Sequence, residues 1–497
     1  MGFLSPSPPP FEVEEWRKRP YLERLKPLAQ DWAVNGIGVP QAVYLLYLVK
    51  LAVYTGGGLL LISATSDLGG LGEISSWWTQ PVVFQKAVIW TMLWEALGLG
   101  AGSLPLTLRF SPMIGGFLYW LRPGTIRQPP WPGRVPLTGG TTRTSFDVAL
   151  YAGFILTGIW LLVMTGSGGI DPPAVAVMLA FLGLLGLRDK VPFLAARTEI
   201  YGPMLLIFLF PPEQMIVALQ VVFFCIWWGA ASSKLNRHFP FVVTVMISNT
   251  PWNRSSRAKK KLYRDHPDDL LPSTIGNLSA HMGTVIEFTL PLLLIASGGG
   301  AVGKIAVIGM VLFHLHILST FPLAVPLEWN VFMIFGIFFL FGHYGGVPLS
   351  SLDDPLLLAV LLPLIVGIPL LGNFRPDLIS FLPSMRYYAG NWATSQWYFR
   401  RDSGAEAKLD EKLTKAAPTV PAQLEKFYEP EMCEVLLHKG LAFRSMHSHG
   451  RALNGLGSRA VDDLEAYDVR EGEIVAGVVL GYNFGDCLLY TSDAADE

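Results

Sequence analysis

Apolar residues in this chain fall into long blocks, most of them near the roughly 20 residues that a transmembrane helix needs. Eight blocks qualify, at about 41–63, 83–101, 147–166, 173–187, 281–297, 302–320, 329–344 and 355–372. A further apolar stretch, about 201–231, is interrupted by Pro211-Pro212-Glu213-Gln214, and its first arm, YGPMLLIFLF, is too short for an ordinary span. It reads as a helical hairpin, either two tilted spans or a re-entrant pair. Non-helical backbone at that depth is tolerated only where protein or water covers it. The pattern predicts an all-α polytopic membrane bundle of about eight spans plus a helical hairpin.

Polar segments separate the blocks, and their charge sets an orientation. With the N-terminus inside, segments 1–40, 103–146, 188–200 and 232–280 carry 21 Lys and Arg, while 64–82, 167–172, 298–301 and 345–354 carry none. This bias puts the first group in the cytoplasm. It also requires 201–231 to enter and leave on one side. The first 30 residues hold SPSPPP and Arg17-Lys18-Arg19 but no apolar core of signal-peptide length, so the first span is expected to direct insertion.

The pattern divides the chain into a cytosolic N-terminal segment (1–40), a bundle (41–374), an interfacial segment (375–400) and a small α+β cytosolic C-terminal domain (401–486). Segment 375–400 mixes aromatic residues with arginine, as headgroup-level segments do. Segment 404–428 reads as a charged helix and EIVAGVVLGYNF (473–484) as a strand. The last stretch, CLLYTSDAADE (487–497), resembles translated sequencing-adapter sequence, which implies a C-terminal domain cut short.

Composition agrees with a membrane protein. Of 497 residues, 51% are hydrophobic and 15% charged, and mean hydropathy is +0.40. A soluble chain carries about 25% charged residues. The net charge of −2 gives no reason to expect nucleic acid as a partner; membrane lipids are the expected one. Cys225, Cys433 and Cys487 make neither a disulfide framework nor a zinc spacing.

Ionisable residues inside the apolar blocks carry the functional signal, because a charge at mid-membrane costs about 2.5–3.5 kcal/mol on insertion scales. Lys50, Glu95, Glu287 and His314 are the candidate catalytic residues. Lys50 reads either as a structural ion pair with Glu95 or Glu287, or as a buried base or substrate anchor. The two glutamates read as interhelical hydrogen-bonding groups or as acid/base groups. His314 and His316 are about 200° apart on a helix, so at most one faces the interior. Lys304 and Glu328 lie near block ends, where snorkelling accounts for them.

Outside the blocks, Arg254, Arg257, Lys259, Lys260 and Lys261 form a basic run that enforces topology or binds anionic lipid. His447 and His449 would share a face if extended, a weak metal signal with His438 as a possible third ligand. Arg444 and Arg451 nearby point as well to an anion. No cofactor is indicated. The nucleotide-binding, zincin and serine-hydrolase motifs G-x-x-x-x-G-K-[ST], H-E-x-x-H and G-x-S-x-G do not occur.

Several long stretches carry a resemblance: LRDKVPFLAARTEIYGP (187–203), WWGAASSKLNRHFPFVVTVMISNTPW (227–252), FHLHILSTFPLAVPLEWN (313–330), MRYYAGNWA (385–393), HKGLAFRSMHSHGRALNGL and VVLGYNFGD. Together they resemble an uncharacterised bacterial multi-span family, transmembrane proteins of unknown function (domain of unknown function family 3556). The resemblance covers about 10–486 and implies an inner-membrane location and no activity. A second likeness joins Ser233-Lys234-Leu235, the span carrying Glu287 and the span with Phe313-His314. These pieces look like the membrane bundle of vitamin K-dependent carboxylase-like proteins, a class that includes enzymes acting on quinol-type cofactors. The chain departs from that pattern elsewhere, so no catalytic role is carried across.

Three functions fit these observations. One is a membrane enzyme acting on a lipid or quinone-like substrate, with Glu287 and Lys50 as acid/base groups and His314 as relay. Another is a carrier of lipid or hydrophobic solute, suggested by the broken hairpin. The third is a scaffold presenting the tail and basic loops to partners or anionic lipid.

Overall fold

The computed structural model describes residues 2–36, 38–100, 116–320, 327–379, 396–408 and 424–471. The first half of the fold is built from α1 (Tyr21–Asn35), α2 (Gln41–Ser63), α3 (Pro81–Ala96), α4 (Ser145–Met164), α5 (Pro172–Arg188), α6 (Thr198–Ile207), α7 (Pro212–Ser233) and α8 (Phe239–Asn249). A short hairpin of β1 (Tyr263–Asp265) and β2 (Asp269–Pro272) follows, then α9 (Thr274–Ala296), α10 (Ala301–Leu318), α11 (Leu327–His343) and α12 (Pro355–Gly372). Strand β3 (Gln396–Arg400), α13 (Pro430–Ser445), α14 (Ser448–Ala460) and β4 (Tyr467–Glu471) complete it.

Six helices, α2, α4, α7, α9, α10 and α12, are long and apolar enough to cross a membrane. Each predicted block contains a helix, with local corrections. The block at 83–101 gives a helix that stops at Ala96, before Gly98 with its φ of 71°. The helix expected from 281 starts at Thr274, where the Ser273 side chain accepts the Gly276 N–H and caps the first turn. Helix α8 lies within the segment read as a loop. Helix α7 is the most enclosed long span, while α12 and α2 are largely exposed. Phe84, Phe223, Phe332 and Phe339 interlock at the centre.

The broken stretch is a hairpin of unequal arms. Pro212 occupies the first turn of α7, where its missing N–H leaves no intrahelical bond unmade. Helix α6 has 10 residues and α7 has 22, about 15 and 33 Å at 1.5 Å per residue. The turn sits at one rim, where the Gln214 side chain donates to Asp353 Oδ1 at 2.7 Å. The rest of that rim is formed by the loops without Lys or Arg. Tyr344 donates to the Thr79 carbonyl, and Gly299, at a left-handed φ of 76°, lies so close to the Gly345 backbone that a Cβ would collide with it.

The other rim gathers the basic segments. Arg127 is buried and donates to the carbonyls of Gly139, Gly140 and Arg188. Arg143 pairs with Asp189, and Arg188 with Asp147. These bonds fold residues 116–143 into a lid over the bundle end. Also at this rim, α1 packs on α13, Lys439–Asp31 (3.1 Å) and Arg24–Glu465 (3.1 Å) join the N-terminal segment to the C-terminal one, and Arg444–Glu471 (3.1 Å) ties α13 to β4.

The C-terminal region differs from its expected layout. Gln396–Arg400, placed in the interfacial segment, is a strand paired antiparallel with β4. Of the helix expected over 404–428, residues 405–408 are helical and 425–427 form a turn, and two further helices, α13 and α14, follow. The remainder of 404–428 from 409 to 423, the strand expected at 473–484, and 487–497 lie outside the described residues.

Candidate functional site

Lys50, Glu95, Glu287 and His314 all face the interior. They are not paired as expected. Glu95, at the last turn of α3, accepts the Arg197 Nε–H at 3.1 Å. Glu287, in mid-α9, pairs with Lys234 at the end of α7. The proposed Lys50–Glu95 and Lys50–Glu287 pairs are therefore replaced, because each carboxyl has a closer cation from the hairpin. Lys50 instead lies within electrostatic reach of Glu328 and, more weakly, Glu95.

His314 points inward and His316 outward, as helical geometry demands. The Trp227 indole donates to His314 Nε2 at 3.0 Å, so Nδ1 carries the proton and donates to Asn330 Oδ1 at 2.8 Å. Both ring nitrogens are engaged. Glu328 does not snorkel: its exposure is 0%, and it accepts from the Trp94 indole at 3.2 Å. Lys304 is exposed, in accord with its place near a helix end.

Glu328 and Asn330 sit on one turn of α11, so they connect the two charge centres into a single polar seam. Among the described residues, the seam and its margin hold three cations, Lys50, Arg197 and Lys234, and four carboxyls, Glu95, Glu199, Glu287 and Glu328. Arg197 and Glu199 escaped sequence reasoning, and Lys234 entered only through a resemblance, because each lies in or next to a segment read as a loop. The signal available was their place at the ends of the hairpin's two arms.

Arg197 caps α6 with a left-handed φ of 48°, a conformation that is uncommon for a side chain of its size. Its chain segment is non-helical and lies roughly 15 Å from the far rim, about half the ~30 Å hydrocarbon thickness. Ion pairing to Glu95 and stacking over Trp329, 5.7 Å from the ring centroid, hold it there.

Beside it, a cleft of about 200 Å³ opens between α5, α6 and α12. Leu179, Leu182, Phe193, Leu206 and Leu364 make its walls apolar. Glu199 is the one ionisable residue on them, and its Oε2 is buried without a hydrogen-bond partner. Glu199 also lines a water-sized void of about 10 Å³ toward Val222 and Cys225. The helices flanking the cleft expose Leu184, Val366 and Leu370 on their outer faces, so the cleft adjoins the lipid-facing surface.

The remaining candidates lie at the basic rim. Arg254, Arg257, Lys260 and Lys261 are exposed, whereas Lys259 turns inward and donates to the Val34 carbonyl at 2.8 Å. Partial burial there holds the Lys259 ammonium below its usual pKa. His447 and His449 are not in an extended segment: His447 precedes α14 and His449 belongs to its first turn. His447 Nδ1 bonds the Phe443 carbonyl at 2.9 Å, and the His449 side chain lies outside the described residues. His438 is buried against Trp16 and bonds the Glu434 carbonyl. Burial lowers its pKa to about 4. Among the described residues, no group of three or more His, Cys, Asp or Glu is placed to hold a metal ion.

Over residues 1–495 the sequence matches the family described as transmembrane protein of unknown function (DUF3556). No curated protein and no solved structure matches it.

Proposed function

This chain belongs to that family of transmembrane proteins, and on this footing we propose that it binds and carries a lipid-like molecule within the bilayer. The molecule enters sideways through the cleft between α5, α6 and α12. The cleft is the observation that carries this reading. An apolar cavity of about 150 Å³ already takes up benzene, so 200 Å³ admits one end of a hydrocarbon molecule rather than a whole phospholipid. A short, broken arm beside the site is the architecture that transporters use to line a binding site with non-helical backbone.

Chemistry at Glu287 and His314 has less support, since the carboxyl is bonded to Lys234 and both imidazole nitrogens are occupied. The Lys and Arg bias supports a multi-pass topology with the N-terminus and the C-terminal domain in the cytoplasm, and the family resemblance implies the inner membrane. The exposed residues Arg254, Arg257, Lys260 and Lys261 would then meet anionic headgroups.

Gly183 supplies the test. It lines the cleft, and a Cβ added there meets nothing within 4 Å. Gly183→Phe therefore fills the cleft without displacing a neighbouring helix. Hydrophobic molecules extracted from the purified proteins are compared by mass spectrometry. The wild type retains a specific species that the variant lacks. Equal yields from both, or no specific species from either, overturns the proposal.

A further inference from the structure

The cleft's one polar group constrains what end of a molecule enters it, an inference that rests on the binding reading above. From the spare bonding capacity of Glu199 we infer that the ligand is a hydrocarbon ending in a hydroxyl group. Among the described residues Glu199 is the only ionisable group on the walls, and its Oε2 has no partner. A buried carboxyl oxygen without a hydrogen bond is a standing penalty, which a donor on the ligand removes once the carboxyl turns that oxygen toward the cleft. The nearest hydroxyl is already committed: Thr198 Oγ1 donates to the Phe193 carbonyl at 2.7 Å. The nearest cation is committed as well, since Arg197 Nε is bonded to Glu95.

These facts weigh against other head chemistries. A fatty-acid carboxylate or a phosphate would approach an ionised Glu199 with no unengaged cation among the described residues of the cleft walls, and like charges repel. A plain alkane fills the apolar walls but leaves the Glu199 oxygen unbonded. An ammonium would form a charged pair, but it must first lose its hydration to reach the middle of the hydrocarbon layer. A hydroxyl enters neutral. It donates to the carboxyl when Glu199 is ionised and accepts from it when Glu199 is protonated, so one ligand suits both states. The void beyond Glu199, about 10 Å³, holds at most one water, so the ligand reaches the carboxyl from the cleft.

The experiment uses the full chain in lipid nanodiscs with radiolabelled 1-dodecanol as the probe and the Gly183→Phe protein as the background. Unlabelled 1-dodecanol, dodecylamine, dodecanoate and dodecane compete. The alcohol is expected to displace the probe at concentrations at least about tenfold lower than dodecanoate or dodecane, the scale of one hydrogen bond to a charged group. Glu199→Leu, which keeps the volume and removes the acceptor, is expected to lower dodecanol affinity about tenfold and to abolish the preference over dodecane. Equal competition by dodecane or dodecanoate overturns the hydroxyl inference while the cleft stands. Stronger competition by dodecylamine overturns it in favour of a cationic head. Equal probe binding to wild type and Gly183→Phe sinks the cleft itself.

Discussion

Two carboxyl groups act on the guanidinium of Arg197. Glu95, from α3, accepts its Nε–H and is wholly buried in the seam. Glu199, two residues further along the short arm, faces a cleft and keeps an oxygen unbonded. In the seam, Lys234 holds Glu287, and Trp227 and Asn330 hold His314. The cleft is open and almost wholly apolar. Burial of a charge is therefore a poor guide to its role. What separates Glu95 from Glu199 is whether a cation takes up the carboxyl's bonding capacity, and Glu199 keeps an oxygen for a ligand.

Breaking the seam gives the largest expected effect. Glu95→Ala leaves Arg197 buried without its partner, a loss of about 3–5 kcal/mol. The folded yield and thermal midpoint of the purified protein should fall steeply. The double variant Glu95→Leu/Arg197→Met, which removes both charges, should recover most of the loss, because apolar isosteres replace buried pairs with little penalty. Glu199→Gln should leave stability near wild type. If Glu199→Gln destabilises as much as Glu95→Ala, both carboxyls are structural and the contrast fails.

Much of this arrangement was legible from sequence and part was not. An apolar block with one ionisable residue near its middle must turn that residue inward, and Lys50, Glu95, Glu287 and His314 all obey. The hairpin was legible from Pro211-Pro212 together with the one-sided distribution of Lys and Arg. Partners were not, because pairing depends on which helices adjoin. Arg197 and Lys234 sit at the ends of the hairpin arms, where a polar residue looks like ordinary loop chemistry. Glu328 was misread for the same reason: a block end in sequence is a buried turn of α11 in space. The C-terminal helices α13 and α14 went unread because α13 buries its apolar face against α1, some 400 residues earlier, and no local pattern records that contact.

The clasp at the basic rim gives a smaller, pH-dependent effect that extends the comparison beyond the bundle. His438 is buried with a pKa of about 4, below the 6.5 of an exposed imidazole. The unfolded chain therefore binds the proton first. This contribution to stability is fully present above pH 6.5 and is lost as pH falls from there toward 4, up to about 3 kcal/mol. Thermal midpoints measured from pH 7.5 to 4.5 should fall less for His438→Leu than for the wild type, provided the variant matches it at pH 7.5 within a few degrees. Parallel curves would show that the ring does not titrate within the clasp.

The smallest effect belongs to charges that are neither paired nor buried. Lys260 and Lys261 are exposed at the basic rim, while Lys259 beside them is bound to the Val34 carbonyl. Each exposed charge near an anionic surface contributes about 1 kcal/mol. Lys260→Ala/Lys261→Ala should therefore reduce the anionic lipid retained on purification from mixed-lipid membranes, read as the ratio of anionic to zwitterionic lipid. The loss should shrink as salt rises, because such contacts are screened. Lys259→Ala should leave that ratio unchanged and instead loosen α1, seen as faster amide exchange over 21–35. A lipid effect from Lys259→Ala equal to that of the exposed pair would mean that its bond to α1 does not hold in the membrane. The rule drawn from the seam, that a group already bonded has nothing left for a ligand, would then fail at its simplest case.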